Sequence, residues 1–277
     1  MTVTDAPRTE TPDGAVPPAR PRRRRPWLAL AALTTLFVAV PAGLEIAGVQ
    51  LAHDSETSEA LPSRPLRTVE IDATSAAVTV QAGTSSGPAR LRKDLHWMMA
   101  KPRVRTEWDG DTLTLRVVCG NGGVVALDLC DADVTLSVPS GVAVRGRMTS
   151  GTLAVRGVTG PVDVHNNSGT LQFADLTGPL RAQVSSGSIQ GERVSSAMVE
   201  ARSGSGAIDL AFAKAPARVI ARTGSGSIEV GVPVGSHYRI TGDTNSGSRD
   251  VAQGIRDDSV LNVLDLSSGS GSVTVHY

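Results

Sequence analysis

The sequence predicts an all-β fold, a flattened β-solenoid in which each coil contributes one strand to each of two sheets. Three observations lead to this prediction: a repeat of about twenty residues, apolar residues at alternate positions on both sides of each repeat's centre, and a composition with 3% aromatic residues and 29 glycines. Stacked coils would pair each strand with neighbours above and below and bury a shared aliphatic interior. A repetitive β-sandwich is the alternative architecture.

Seven Ser-Gly pairs mark the repeat between residues 147 and 275. Their serines are separated by 18, 18, 19, 20, 21 and 24 residues, a period that is typical of repeat proteins. Because glycine tolerates a positive φ and serine can hydrogen-bond to nearby backbone, each pair predicts a tight corner between two strands. The predicted corner residues are Ser150, Gly151, Ser168, Gly169, Ser186, Gly187, Ser205, Gly206, Ser225, Gly226, Ser246, Gly247, Ser270 and Gly271.

Apolar or small residues recur at fixed distances from each corner serine. They stand six and four residues before it and three and five residues after it, as Val144, Gly146, Leu153 and Val155 do around Ser150. Positions two apart share one face of a strand, so these four are expected to point inward. The same template fits around residue 75, which places the start of the array near residue 66.

Two residues of the later repeats carry separate expectations. Thr223, two residues before its corner serine, is expected to point outward because it lies beside the corner. Arg249 occupies the inward position after the sixth corner and cannot be buried alone, so it is expected to turn to solvent.

Residues 82–143 interrupt the regular repeats with longer strands. The stretch "EWDGDTLTL" predicts a hairpin, since Asp109-Gly110 suits a tight turn between alternating strands. The large side chains of this region are expected to form the core at one end of the array: Trp97, Met98, Met99 and Trp108.

Cys119 and Cys130 bracket a glycine-rich turn inside this interruption. In an exported domain such a pair predicts a disulfide, and a zinc site would need further ligands nearby. The carboxylates of Asp128, Asp131 and Asp133 could meet around calcium, but a solvated turn is the preferred interpretation. No metal or cofactor is therefore predicted.

The N-terminal part differs in composition from the rest. Residues 1–26 are rich in arginine and proline and are expected to be a disordered cytoplasmic tail. Residues 27–49 are expected to be a single membrane-spanning helix, oriented by the arginines before it. A linker (50–65) and an extracytoplasmic repeat domain (66–277) follow. Cleavage near "AVPA" (39–42), giving a secreted protein, is the alternative, and no nucleic-acid partner is expected.

The stretch "VTLSVPSGVAVRGRMTSGTLAVRGVTGPVDVHNNSGTLQFADLTGPLRAQVSSGSIQG" resembles the bacterial family of β-strand-repeat domains known as putative adhesins, a domain of unknown function. The Val-Pro-Ser-Gly step at 138–141 and the Ser-Gly corners after it carry the resemblance. It implies an envelope-associated, often membrane-anchored protein without established catalytic residues. The family favours an acidic residue after Ser-Gly. This chain has Ser, Thr or Ala there, which disfavours a calcium-binding ladder.

Three functions are compatible with this organisation. The preferred hypothesis is a non-catalytic, membrane-anchored, adhesin-like domain that binds a surface protein or an envelope polymer through one solenoid face. The alternatives are an accessory protein that senses envelope stress and a glycan-acting β-helix enzyme. The stretch "GTSSG" (83–87) matches a nucleophile elbow, but Pro88 follows where a helix should begin, so no catalytic residue is predicted.

Overall fold

The described part of the chain is built from β-strands, as the sequence predicts. The computed structural model describes residues 53–83, 88–97, 101–119 and 130–277, which belong to one unit, Leu51–Tyr277. Within these ranges no helix has the length and apolar character needed to cross a membrane. The expected tail (1–26) and membrane span (27–49) lie outside the described residues.

The strands of the described chain alternate with short turns, and the first of them lies in the segment for which the sequence predicts a linker. In chain order they are β1 His53–Ala60, β2 Thr68–Ala82, β3 Arg90–Trp97, β4 Arg103–Asp109, β5 Thr112–Val118, β6 Cys130–Val138, β7 Ala143–Arg156, β8 Val162–Ala174, β9 Leu180–Val194, β10 Met198–Ser205, β11 Ile208–Phe212, β12 Arg218–Ser225, β13 Ile228–Gly231, β14 Arg239–Thr241, β15 Thr244–Ser246, β16 Arg249–Val251, β17 Val263–Ser270 and β18 Val273–His276.

The strands form two sheets that meet along the corners. We call the sheet built from residues before the corners the first sheet and the other the second sheet. The order in the first sheet is β4, β5, β2, β7, β8, β9, β10, β12, β17, and then β14 with β15. The order in the second sheet is β1, β3, β6, β2, β7, β8, β9, β11, β13, β18, β16. From β5 and β6 onward all of these pairings are parallel, which confirms the flattened β-solenoid.

The repeat template aligns the coils residue by residue. Ser75 pairs with Ser150, and the corner serines that follow in space pair in the same register: Ser168, Ser186, Ser205, Ser225, Ser270 and Ser246. The predicted inward positions form the core. Ile208 and Ile228, for example, are register partners with no exposed surface. Branched aliphatic side chains suit this narrow interior because they pack well on a pleated surface.

The last two repeats are not stacked in chain order. The seventh repeat, β17 and β18, pairs with β12 and β13 on one side and with β14, β15 and β16 on the other. The sixth repeat is therefore the terminal coil. Arg249 in that coil is exposed, as predicted, and its guanidinium donates to the Leu266 carbonyl over 2.9 Å. A terminal coil can carry a charge at this position because no further coil covers it.

The interruption adds a coil at the opposite end. β5 pairs in parallel with the first half of β2, and β6 pairs in parallel with the second half. Antiparallel strands then cover this coil: β4 next to β5, and β3 and β1 next to β6. The predicted Asp109-Gly110 hairpin joins β4 and β5. Trp97 and Trp108 are half-buried against the core, while Met98 and Met99 lie outside the described residues.

Cysteine pairs in the second sheet test the stacking order. Ser227, Ser248 and Ser272 each precede the first residue of β13, β16 and β18, which lie in the order β13, β18, β16. We expect Ser227→Cys with Ser272→Cys, and Ser272→Cys with Ser248→Cys, to form disulfides under mild oxidation. Ser227→Cys with Ser248→Cys should not, because two strand spacings are about 10 Å and a disulfide spans less than about 7 Å between Cα atoms.

Peptide mapping by mass spectrometry without reduction measures these bridges. Efficient bridging of residues 227 and 248, with none between 227 and 272, would show that the coils stack in chain order.

Candidate binding surface

The corner glycines form a column along the edge where the two sheets meet. Their φ angles lie between +100° and +149°, a region that side chains other than glycine's rarely adopt. A Cβ atom on Gly206 would overlap the carbonyl oxygen of Gly187, and one on Gly187 would overlap that of Gly169. The corner serines beside them are exposed except for Ser150, which is half-buried and donates to the Thr74 carbonyl over 3.1 Å.

The position two residues before each corner serine points inward, so the expectation for Thr223 is wrong. Thr223 is 5% exposed, and its hydroxyl donates to the Gly206 carbonyl over 3.1 Å. The equivalent side chains of other coils donate to the corner glycine of the preceding coil in the same way: Asn166, Ser203 and Ser268. The alternation of the strand continues up to the corner, and these four side chains each donate to a carbonyl oxygen that the corner leaves inside. Among the described residues, the Asn166 Oδ1 atom and the equivalent Thr244 hydroxyl have no hydrogen-bond partner.

A disulfide joins Cys119 and Cys130, whose Cα atoms are 5.8 Å apart. Cys119 follows β5 and Cys130 begins β6, so the bridge lies where the other coils have their Ser-Gly corner. The Cys119 amide donates to the Thr74 hydroxyl in the neighbouring corner over 3.2 Å. The bridge thus closes the one coil whose two halves are separated in the chain by residues 120–129.

A groove of about 770 Å³ crosses the outer face of the first sheet. The backbone of Ile71 and Gly146 lies at its floor. Its walls are the outward side chains five and three residues before the corners, together with the residues of β5 in register with them. One wall contains Thr114, Glu70, Arg145 and Asp163, and the other contains Arg116, Asp72, Arg147, His165 and Gln183. The groove crosses five strands, β5, β2, β7, β8 and β9, so it is about 20 Å long.

Ion pairs between neighbouring strands neutralise many of the charges on this face. Arg116 lies 3.3 Å from Asp72 on β2. Farther along the same face, Arg181 lies 2.8 Å from Glu200, and Arg222 lies 2.8 Å from Asp265. Both groups of the Arg116–Asp72 pair keep substantial contact with water, so this pair contributes little to stability. Glu200 and Asp265 are more buried than their arginine partners.

The charges at the centre of the groove are less well paired. Within the described part of the chain, the Arg147 guanidinium and the Asp163 carboxylate make no ion pair or side-chain hydrogen bond, and Arg145 has one contact, 3.8 Å from Glu70. Arg145 and Arg147 are exposed on the same face of β7. Residues two apart on a strand are about 7 Å apart, so two arginines face each other across the groove.

None of these groove residues is predicted as a site from the sequence. The signal is present in the template, because the positions five and three before the corners carry charged residues in consecutive repeats. Alternation predicts that such residues point outward. It does not predict which of them pair with one another and which remain available.

The outer face of the second sheet has a different character. Hydroxyl and amide side chains of β8 and β9 lie side by side: Thr170 with Ser188, and Gln172 with Gln190. Farther along, burial raises the pKa of Asp209, and Glu229 on the neighbouring strand raises it further. Among the described residues no group of three His, Cys, Asp or Glu side chains is arranged to hold a metal ion. Asp131 and Asp133 are included in that statement, and Asp128 lies outside the described residues.

β1 is an exposed edge strand that charged pairs attach to β3. His96 Nδ1 lies 2.7 Å from Asp54 Oδ1, and two further pairs link the strands: Arg92 with Glu56 at 2.8 Å and Lys93 with Glu59 at 2.7 Å. The hydrogen bond to Asp54 raises the pKa of His96 above its ordinary 6.5, and the nearby carboxylates of Asp131 and Asp133 raise it further. His96 is therefore favoured in its charged form when β1 is in place.

The family model described as Toastrack DUF4097 matches residues 61–276 of this sequence. The chain belongs to the Toastrack DUF4097 family. The match begins directly after β1 and ends one residue before Tyr277. It therefore covers every coil described above, including the coil that the disulfide closes. No curated protein matches this Toastrack chain.

Several solved structures are similar to this Toastrack domain at 12% sequence identity. A putative cell adhesion protein from Clostridium sporogenes covers 81% of this chain and 99% of its own, with a TM-score of 0.35. A putative adhesin from Parabacteroides distasonis covers 80% and 97%, with a TM-score of 0.46. A putative adhesin from Bacteroides fragilis covers 81% and 96%, with a TM-score of 0.36.

Substitution of a corner glycine tests the close contact between coils. Gly206→Ala should lower the free energy of unfolding by about 3 kcal/mol or more, because it combines a positive φ with overlap against a neighbouring carbonyl oxygen. Gly141→Ala is the matched control. No atom lies within 4 Å of its added Cβ, so its effect should stay within about 0.5 kcal/mol. Urea unfolding followed by circular dichroism measures both, and equal losses would contradict the corner geometry.

The attachment of β1 should depend on pH. A histidine whose folded pKa is raised stabilises the folded arrangement fully below its unfolded pKa, and this contribution is lost as the pH rises through the folded pKa. Hydrogen exchange of the β1 amides, corrected for the intrinsic rate, should therefore show less protection at pH 8 than at pH 5.5. Asp54→Asn should lower the pKa of His96, measured by NMR, and flatten this dependence. An unchanged His96 pKa in that variant would refute the assignment.

Proposed function

We propose that this chain is an extracytoplasmic, non-catalytic, adhesin-like binding protein, held at the cell membrane by residues 27–49, which binds an envelope component through the outer face of the first sheet. The groove at Arg145 and Arg147 carries this proposal. It holds charged side chains without strong internal partners, on strands that are hydrogen-bonded on both sides. Such strands position side chains firmly, and a rigid site loses little conformational entropy when a ligand binds.

The chemistry of the groove supports binding rather than glycan cleavage. A glycoside hydrolase needs two carboxyl groups in defined separation, one of which must hold a proton and donate it to the leaving group. Glu70 and Asp72 are the nearest such pair in the groove, but each lies beside an arginine, Arg145 at 3.8 Å and Arg116 at 3.3 Å. Both carboxyl groups are thus partners in ion pairs between neighbouring strands.

The membrane topology is proposed from the arginine-rich flank before residue 27 and the uncharged stretch after it. The Cys119–Cys130 disulfide is compatible with it, because disulfides persist in oxidising compartments. This placement would display the groove to the envelope.

Reporter fusions and envelope retention test the proposal together. Alkaline phosphatase fused after Tyr277 should be active, and a cytoplasmic reporter at the same point should not. The purified full chain should be retained by isolated envelope material, and a chain lacking residues 27–49 should no longer fractionate with membranes. A cytoplasmic reporter that is active after Tyr277, or absence of retention by every envelope fraction, would refute the function.

A further inference from the structure

The charges of the groove alternate from strand to strand. β5 contributes Arg116, β2 contributes Glu70 and Asp72, and β7 contributes Arg145 and Arg147. β8 contributes Asp163 to the groove. β9 carries Arg181 in register with Asp163 just outside the lining, 2.8 Å from Glu200. Basic residues therefore recur on every second strand, with carboxylates on the strands between them.

The charges recur at a fixed distance along the groove because the strands are in register. Adjacent strands are about 4.8 Å apart, so the basic positions on β5, β7 and β9 recur every 10 Å or so along the groove. The strongest of them is on β7, where two arginines face each other and the carboxylates on β2 and β8 lie one strand away on either side. An anionic group bound there could form bidentate, charge-assisted hydrogen bonds with either guanidinium.

The flanking carboxylates restrict the ligand. Glu70, Asp72 and Asp163 would repel a polymer with an anionic group at every unit, since its next charge would lie against them. They would accept hydrogen bonds from hydroxyl or amide N–H groups of an uncharged unit in the same place. His165 and Gln183 add further polar groups on β8 and β9. The lining contains no Phe, Tyr or Trp side chain, so stacking of sugar rings on large aromatic faces is not the basis of recognition.

We propose that the groove binds a glycan chain that carries one carboxylate for every two sugars, with a carboxylate between Arg145 and Arg147 and uncharged sugars against the carboxylates of β2 and β8. This inference rests on the proposed binding function and specifies the ligand of that same surface. The chain lies across the strands, along the groove, and its disaccharide repeat matches two strand spacings. The next carboxylates on either side would lie near Arg116 and Arg181, which would be shared between the ligand and their own partners, Asp72 and Glu200.

Four probes of similar length distinguish the ligand classes. They are a hyaluronan decasaccharide, with one carboxylate per disaccharide; an oligogalacturonate, with one on every sugar; an uncharged N-acetylglucosamine oligomer; and polyphosphate. Isothermal titration calorimetry of the full chain in detergent should show binding of the hyaluronan probe. The other three should bind at least about ten-fold more weakly, the effect expected from a lost or repelled charge-assisted contact.

Variants on one strand separate the groove from general charge. Arg147→Gln should weaken binding of the hyaluronan probe by about ten-fold or more. Arg156→Gln is the matched control, because Arg156 is exposed on the same strand, β7, but lies in the second sheet. It should leave the affinity unchanged. Glu70→Gln with Asp72→Asn should strengthen binding of the oligogalacturonate, because the repelling carboxylates are gone.

The proposal is overturned if oligogalacturonate or polyphosphate binds the wild type as tightly as the hyaluronan probe, if Arg147→Gln and Arg156→Gln have equal effects, or if no probe binds. These outcomes are distinguishable from failure of the proposed function. Retention of the full chain by envelope material, together with any of them, would leave the binding function in place and refute the glycan specificity alone.

Discussion

Each corner glycine lies against a carbonyl oxygen at the corner of the neighbouring coil, and the spacing of the array depends on this contact. Gly151 lies against the carbonyl of Ala76, and the other corner glycines lie against that of another corner glycine. The amide of Gly206 donates to the Ser225 carbonyl of the next coil over 2.8 Å, and that of Gly226 donates to the Ser270 carbonyl over 2.7 Å. Inside the corner, four side chains donate to a corner glycine carbonyl: Asn166, Ser203, Thr223 and Ser268. A side chain at the corner would separate the coils and break both sets of hydrogen bonds, each of which leaves a costly unsatisfied group when buried.

The fixed spacing turns each repeat position into a row of aligned side chains. On the inner face, these rows are the aliphatic columns of the core. On the outer face of the first sheet, they are two rows of charged residues that form the walls of the groove. In the spatial order of the first sheet, every strand from β5 to β17 has a neighbour on both sides, so the rows are held by backbone hydrogen bonds rather than by side-chain packing. The surface can therefore vary in sequence without loss of the scaffold, while its charges keep a regular period.

A solenoid has two open ends, and this chain covers them differently. At one end, antiparallel strands β1, β3 and β4 and two half-buried tryptophans cover the coil that the disulfide closes. At the other end, the sixth repeat forms a terminal coil of three-residue strands bearing Arg249 and Asp250. Short, charged strands make poor templates for pairing with another sheet edge. Because the seventh repeat lies inside the stack, the irregular sixth repeat is at the end of the array, where it pairs with another coil on one side only.

The sequence by itself determined the repeat, its corners and most of its buried positions, because these follow from local rules: glycine at positive φ and alternation along a strand. The inward orientation of Thr223 also follows from alternation along the strand. It was expected to point outward because the strand was assumed to end before the corner. The place of the cysteine pair was visible, but its role as a substitute corner was not, since that depends on β5 and β6 meeting β2. Only the tertiary structure decided the order of the last two coils, because the sixth and seventh repeats fit the same template and sequence does not determine which neighbour each one pairs with. It also decided which charges pair across strands and which remain in the groove, because that depends on distances between side chains far apart in the chain.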